Sequence, residues 1–236
     1  MLAPPLPTMT TTNDPSTHAR HLARWKVKSG FWDYDEIIES VASNLESNLP
    51  EDGEPAPTEQ EALATAKEIV SGEWNARLRV QSTWPSGPTN FDKLQRAFDS
   101  LERRGIVARM NWSCCRTCGR DEMDGERDDE SLGYVFFHEQ STEALANGRE
   151  DVALVFGRFV GSKIRVTEIG RIVVRVIRRT GFSVRWNGDA ERAIVVTVGM
   201  WRRRIGEDDA ALECDVEEEG GNLKGPGSEG ENADEN

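Results

Sequence analysis

The sequence predicts an α+β fold: a mostly antiparallel sheet of about five strands, covered on one face by helices. Three observations predict it. Apolar residues recur at helical spacing as far as Gly105, the runs after it are short and β-rich, and the last apolar segment alternates strictly around a turn signal. The chain divides into a disordered leader over residues 1–29, one domain over 30–205 and a disordered acidic tail over 206–236. Within the domain, residues 30–88 form a helical part and 89–205 a sheet-containing part.

The leader is rich in Pro and Thr and shows no apolar period, so it buries too little surface to offset its chain entropy. The first predicted helix opens at Asp33, whose side chain and that of Glu36 can form a capping box. Tyr34, Ile37, Ile38, Val41 and Leu45 then share one face. A Pro-rich acidic loop over 49–57 ends it. Thr58 with Glu61 repeats the capping signature, and Leu63, Ala66, Ile69 and Val70 continue a second helix to about Val80. Trp84-Pro85-Ser86-Gly87-Pro88 breaks the chain before a third helix, capped by Thr89 and Asp92. Phe91, Leu94, Phe98 and Leu101 are its apolar stripe, and Gly105 is its stop.

Residues 106–112, 133–138 and 151–156 read as strands between polar segments. Thr167 to Thr180 reads as a helix despite its β-branched content, because Ile169, Ile172, Val173, Val176 and Ile177 oppose Arg171, Arg175 and Arg178. Gly181 ends it. Residues 182–186 alternate, Asn187-Gly188 is a hairpin turn signal, and 193–200 return as the last strand.

The net charge of -13 is uneven. Residues 1–88 carry 7 Lys+Arg against 13 Asp+Glu, residues 89–205 carry 21 against 17, and residues 206–236 carry 1 against 12. The acidity therefore lies outside the sheet-containing part. No stretch reaches the ~18–20 apolar residues of a membrane helix, and no basic segment followed by an apolar run opens the chain. The expected location is cytoplasmic, where thiols stay reduced unless they bind metal or cycle.

Ser113-Cys114-Cys115-Arg116-Thr117-Cys118-Gly119 holds three of the four cysteines. Cys115-x-x-Cys118 is half of a structural zinc motif, and Cys114 and His138 are the nearest further ligands. An antiparallel pairing of 106–112 with 133–138 would put His138 at the far end of the hairpin, leaving Asp121 or Glu122 as substitutes. The same pair could instead be a redox dithiol, with Arg116 and Arg120 lowering a thiol pKa and His138 as base. The residues after Cys118 show no helical period to support that. The third alternative is packing at a strand-to-loop turn, with Gly119 at positive φ and the acidic run 121–130 as a solvated loop. All three stay open.

Arg171, Arg175 and Arg178, together with Trp201, Arg202 and Arg203, are candidate binding residues for a phosphate or nucleic acid. Net charge disfavours nucleic acid, because a negative chain opposes the counterion-release contribution that drives such binding. No catalytic residue is assigned: there is no nucleophile elbow, Gly-rich phosphate loop or paired carboxylate. Trp112, Trp186 and Trp201 read as core or sheet-face aromatics.

Residues 91–204 resemble a family of uncharacterised bacterial, mainly actinobacterial, proteins known only as a domain of unknown function. The resemblance rests on Leu94 to Gly105 leading into Asn111-Trp112-Ser113-Cys114-Cys115-Arg116-Thr117-Cys118-Gly119, on Gly133 to Gln140, and on Trp201-Arg202-Arg203. It implies no activity. The expectation is a non-enzymatic binding or regulatory module with a structural, zinc-stapled turn and an unidentified protein partner. A thiol enzyme and a nucleic-acid-binding protein are the alternatives.

Overall fold

A computed structural model describes residues 15–48 and 56–206. Residues 1–14 of the expected leader and 207–236 of the expected tail lie outside the described residues. Among the described residues the order is α1 (Pro15–Ser29), α2 (Tyr34–Ser47), α3 (Glu59–Gln81), α4 (Asn90–Glu102), β1 (Ile106–Arg109), α5 (Arg116–Glu122), a 3-10 turn (Met123–Glu126), β2 (Gly133–Phe136), α6 (Glu139–Ala146), β3 (Asp151–Arg158), α7 (Val166–Arg179), β4 (Ser183–Arg185) and β5 (Ile194–Thr197). The fold is α+β, with a mostly antiparallel sheet of five strands.

The caps read from the sequence form. Asp33, Thr58 and Thr89 each accept from the backbone N–H three residues on, and Glu36, Glu61 and Asp92 each accept from the cap backbone N–H in return. Every such box satisfies two amides that the helix start leaves unpaired. Leu63 departs from the expected stripe of α3: it is exposed, and Ala62 is buried instead.

The expected leader is corrected over 15–29, which forms α1. Ala19, Ala23 and Val27, one turn apart, are fully buried or nearly so against α2 and α3 in a core that also holds Ile37, Val41, Ala66, Val70 and Trp74. Small side chains allow close helix approach but give only a weak apolar signal, which is why the period was not visible. The Arg24–Glu73 ion pair (2.8 Å) ties α1 to α3, and His21 Nε2 lies 3.0 Å from Glu143 of α6.

The sheet order is β1-β2-β3-β5-β4. β2–β3, β3–β5 and β4–β5 are antiparallel, but β1–β2 is parallel, with Ile106 opposite Gly133 and Arg109 opposite Phe136. This overturns the antiparallel pairing expected for these two runs. A parallel pair needs a crossover of about a dozen residues or more, and residues 110–132 supply it through α5 and the 3-10 turn.

Strand alternation buries both faces. Ile106, Ala108, Val135, Leu154, Phe156, Ile194 and Val196 meet α4 and α7 in the main core, while Val107, Phe136 and Val155 meet Met123 and Phe159 on the other side. The segment expected to be a solvated acidic loop therefore covers the second face through Met123, which is fully buried. At the far edge, residues 186–193 join β4 to β5 in place of the two-residue turn expected at Asn187-Gly188.

Trp201 and Arg203 join the two cores. The Trp201 indole stacks on Phe31 (5.9 Å between centroids) and its Nε1 donates to the Ser29 carbonyl at 2.9 Å. The Arg203 guanidinium lies 4.3 Å from the Phe31 ring centroid and 4.6 Å from that of Phe91. Arg77 donates to the carbonyls of Lys28 (2.9 Å) and Arg203 (3.1 Å).

Candidate metal centre

The thiol segment leaves β1 through two non-glycine residues in the left-handed region, Asn111 (φ 55) and Ser113 (φ 56). Such a conformation is uncommon outside glycine, and only surrounding contacts hold it. Trp112, between them, supplies several. Its backbone N–H donates to the Phe137 carbonyl at 2.9 Å, and its indole Nε1 donates to the Gly119 carbonyl at 3.1 Å. The Ser113 hydroxyl donates to Glu122 at 3.2 Å. These bonds fold α5 back against the end of β2.

Gly119 is not at a positive-φ turn, as expected, but buried inside α5. A Cβ there would lie 2.6 Å from Cε2 of Phe136 and 3.2 Å from Cδ1 of Trp112. Glycine is required because the helix rests directly on an aromatic ring.

Cys115 is the N-cap residue of α5, and Cys118 lies one turn on. The sulfurs of Cys114, Cys115 and Cys118 all lie within 4.8 Å of one another. Three thiolates about 2.3 Å from one tetrahedral ion sit ~3.8 Å apart, so the cluster closes on an ion with movements of about an ångström or less. The cluster could hold a metal ion.

The thiols are electrically unequal. The backbone N–H and thiol of Cys118, followed by the Thr117 backbone N–H, lower the Cys115 pKa. Cys118 is pushed up to about 12, first by its interaction with the Cys114 thiol and then by that with Cys115. Cys115 gives up its proton more easily than an ordinary thiol, and Cys118 resists ionisation. A cation removes that resistance, since metal binding expels thiol protons.

The parallel pairing of β1 and β2 moves His138 to the thiol end of the sheet. Glu139 N–H donates to the Ser113 carbonyl at 3.0 Å, so His138 and Cys114 are each one residue from a backbone-paired position. His138 caps α6, its Nδ1 is buried without a hydrogen-bond partner, and burial followed by the positive charge of Arg116 lowers its pKa. Both effects favour the neutral imidazole, the form that ligates metals. Its nitrogens are not part of the 4.8 Å thiol group.

The basic candidates occupy two different settings. Arg171, Arg175 and Arg178 line an open groove with Trp186. Trp201 is 5% exposed inside the main core, and Arg203 is sandwiched between rings. Arg202 lies 5.7 Å from the Trp84 ring and donates to the Met200 sulfur at 3.6 Å. Trp201 and Arg203 are part of the joint between the cores rather than a free contact surface. The supports Trp112, Gly119 and Glu122 went unrecognised as such in the sequence. The only signal for them was their closeness to the cysteines.

These features define an α+β protein with a mixed five-stranded sheet and a three-thiol centre at the end of its parallel pair. The chain belongs to the family described as Domain of unknown function (DUF6891), whose model matches residues 12–205. That span takes in α1 to α3 and extends well beyond the residues 91–204 that carried the resemblance. No curated protein and no solved structure matches the chain. Among the described residues no helix is long and apolar enough to cross a membrane.

Proposed function

We propose that the protein is a non-enzymatic binding or regulatory module whose Cys114, Cys115 and Cys118 thiolates hold a zinc ion, with His138 as the fourth ligand. The observation that carries this is the approach of three sulfurs to within 4.8 Å of one another. His138 supports it through a pKa lowered toward the neutral form, its unpartnered Nδ1 and its place next to Glu139, whose N–H bonds the Ser113 carbonyl. Zinc fits the donor set, because soft thiolates with one imidazole make a common closed structural site. The ion would fix the left-handed turn and α5 against the sheet, and such a site contributes on the order of 10 kcal/mol to folding. Three free thiols suit a reducing, cytoplasmic location.

The test is elemental analysis of untagged protein purified without chelator, followed by the same measurement on Cys115→Ser and His138→Ala. Close to one zinc per chain, lost in Cys115→Ser and weakened in His138→Ala, is the expected result. Metal-free protein with all thiols titratable, and no zinc uptake on addition, would refute it.

The lowered pKa of Cys115 at the start of α5 favours a second role, a dithiol that cycles with Cys118. In that case Cys115 reacts with iodoacetamide much faster than Cys118, and mild oxidation joins the two by a disulfide. Equal, slow alkylation of both would exclude it.

A further inference from the structure

The exposed side of α7 forms a second site. Its apolar side, Ile169, Val173, Val176 and Ile177, is buried in the main core, so the helix cannot turn and its opposite face is fixed. That face carries Arg171, Arg175 and Arg179 at successive turns, about 6 Å apart along the axis, with Arg178 beside them. They line an open cavity of about 660 Å³, within the ~300–1,000 Å³ range of small-molecule sites, and no carboxylate lines it. Among the described residues Arg175 and Arg179 make no ion pair, and Arg178 is steadied by donating to the Val184 carbonyl at 3.0 Å.

The opposite wall is Trp186. Its ring is seated over Gly170, where a Cβ would lie 2.6 Å from Cη2, and it packs edge-on with Phe156 at 5.5 Å. Its Nε1 donates to the Asp189 carbonyl at 2.9 Å. A half-buried indole held on three sides is a rigid stacking surface. The next residue, Asn187, accepts the Asp189 N–H with its Oδ1 at 3.0 Å, leaving its amide N–H groups for a ligand.

We infer that this groove binds a nucleotide, its phosphate chain on Arg171, Arg175 and Arg179 and its base against Trp186. Guanidinium groups match phosphate oxygens bidentately, and an indole accepts any base by stacking. A small ligand is favoured over a nucleic-acid strand. The chain's net charge of -13 opposes a polyanion much more than a ligand with three or four charges.

The experiment is calorimetric titration of the full-length protein with ATP, inorganic triphosphate and a ten-nucleotide oligothymidylate in separate runs. Micromolar ATP binding is expected, weakened at least tenfold by the exposed-site variant Arg175→Glu/Arg179→Glu. Trp186→Leu should weaken ATP several-fold and leave triphosphate unchanged. No ATP binding at 1 mM, or ATP binding indifferent to the arginine variant, would overturn the site. Triphosphate binding as tightly as ATP, with Trp186→Leu without effect, would overturn the base contact. Oligothymidylate binding more tightly than ATP would make the groove a nucleic-acid site and overturn the nucleotide.

Discussion

Substituting Gly119 by Ala perturbs the thiol centre without touching a sulfur. The new Cβ would lie 2.6 Å from Phe136 Cε2 and 2.8 Å from Cζ, against an ordinary carbon contact of ~3.5–4.0 Å. Phe136 cannot yield easily: it is fully buried among Val107, Met123, Val155 and Phe159. The short helix α5 must therefore move outward by about 1 Å, and the adjoining Cys118 moves with it. Metal–sulfur bonds tolerate only ~0.2 Å. In stability, Gly→Ala within a helix gains ~1 kcal/mol while overpacking costs ~1–3, leaving ~0–2 kcal/mol of destabilisation. For a domain of this size, Tm then falls by no more than about 8 °C. Zinc affinity should fall ~10–100-fold, the usual effect of disturbing the support of a ligand. Gly125→Ala is the control, because nothing lies within 4 Å of its Cβ position. The assays are thermal melting and competition for zinc against a chromophoric chelator. If Gly119→Ala melts like the wild type and holds zinc as tightly, contact with Phe136 does not seat α5.

Other outcomes follow from the same structure. Zinc affinity should rise with pH between 6 and 8 by about a decade or more per unit, since Cys118, pushed up to about 12 without metal, must lose a proton on binding; a flat profile in the same competition assay would exclude Cys118 as a thiolate ligand. Phe98→Ala, at an α4 side chain that is 1% exposed and packs edge-on against Phe137, should cost ~3–5 kcal/mol in denaturant unfolding. Trp201→Ala should cost a similar ~3–5 kcal/mol, because it removes the stack on Phe31 and the bond to the Ser29 carbonyl; unchanged stability would show that the indole does not join the cores. The Asp151 carboxyl is held below its ordinary pKa by the Thr197 hydroxyl and then by Arg185. Its folded pKa lies below its unfolded one, so its contribution is present above about pH 4 and is lost as pH falls through the folded value. Asp151→Asn should therefore lower Tm at pH 7, and the gap from the wild type should narrow as pH falls below about 4, as read by melting across pH.

Three capping boxes, the apolar stripes of α2, α4 and α7 and the five strands could be read from the residues, because each depends on neighbours within one or two turns or one strand. The three thiols stood out for the same reason: their spacing is local. α1 was missed because its packing stripe includes alanines, whose value lies in how closely α3 can approach. α5 was missed because it buries a glycine against a ring that lies across the β1–β2 crossover. Whether β1 and β2 run parallel depends on where a 23-residue excursion ends, and no local pattern encodes that. That one choice of direction put His138 at the end of the sheet where the thiol segment lies. Trp201 and Arg203 were drawn from the basic candidates into the joint by rings distant in sequence, Phe31 and Phe91. The sequence by itself determined the capped helices α2 to α4, the helix α7, the five strands and the chemistry available, but not α1, α5 or α6. Only the tertiary structure decided which side chains meet, because long-range contacts depend on strand direction and helix approach that the whole core settles together.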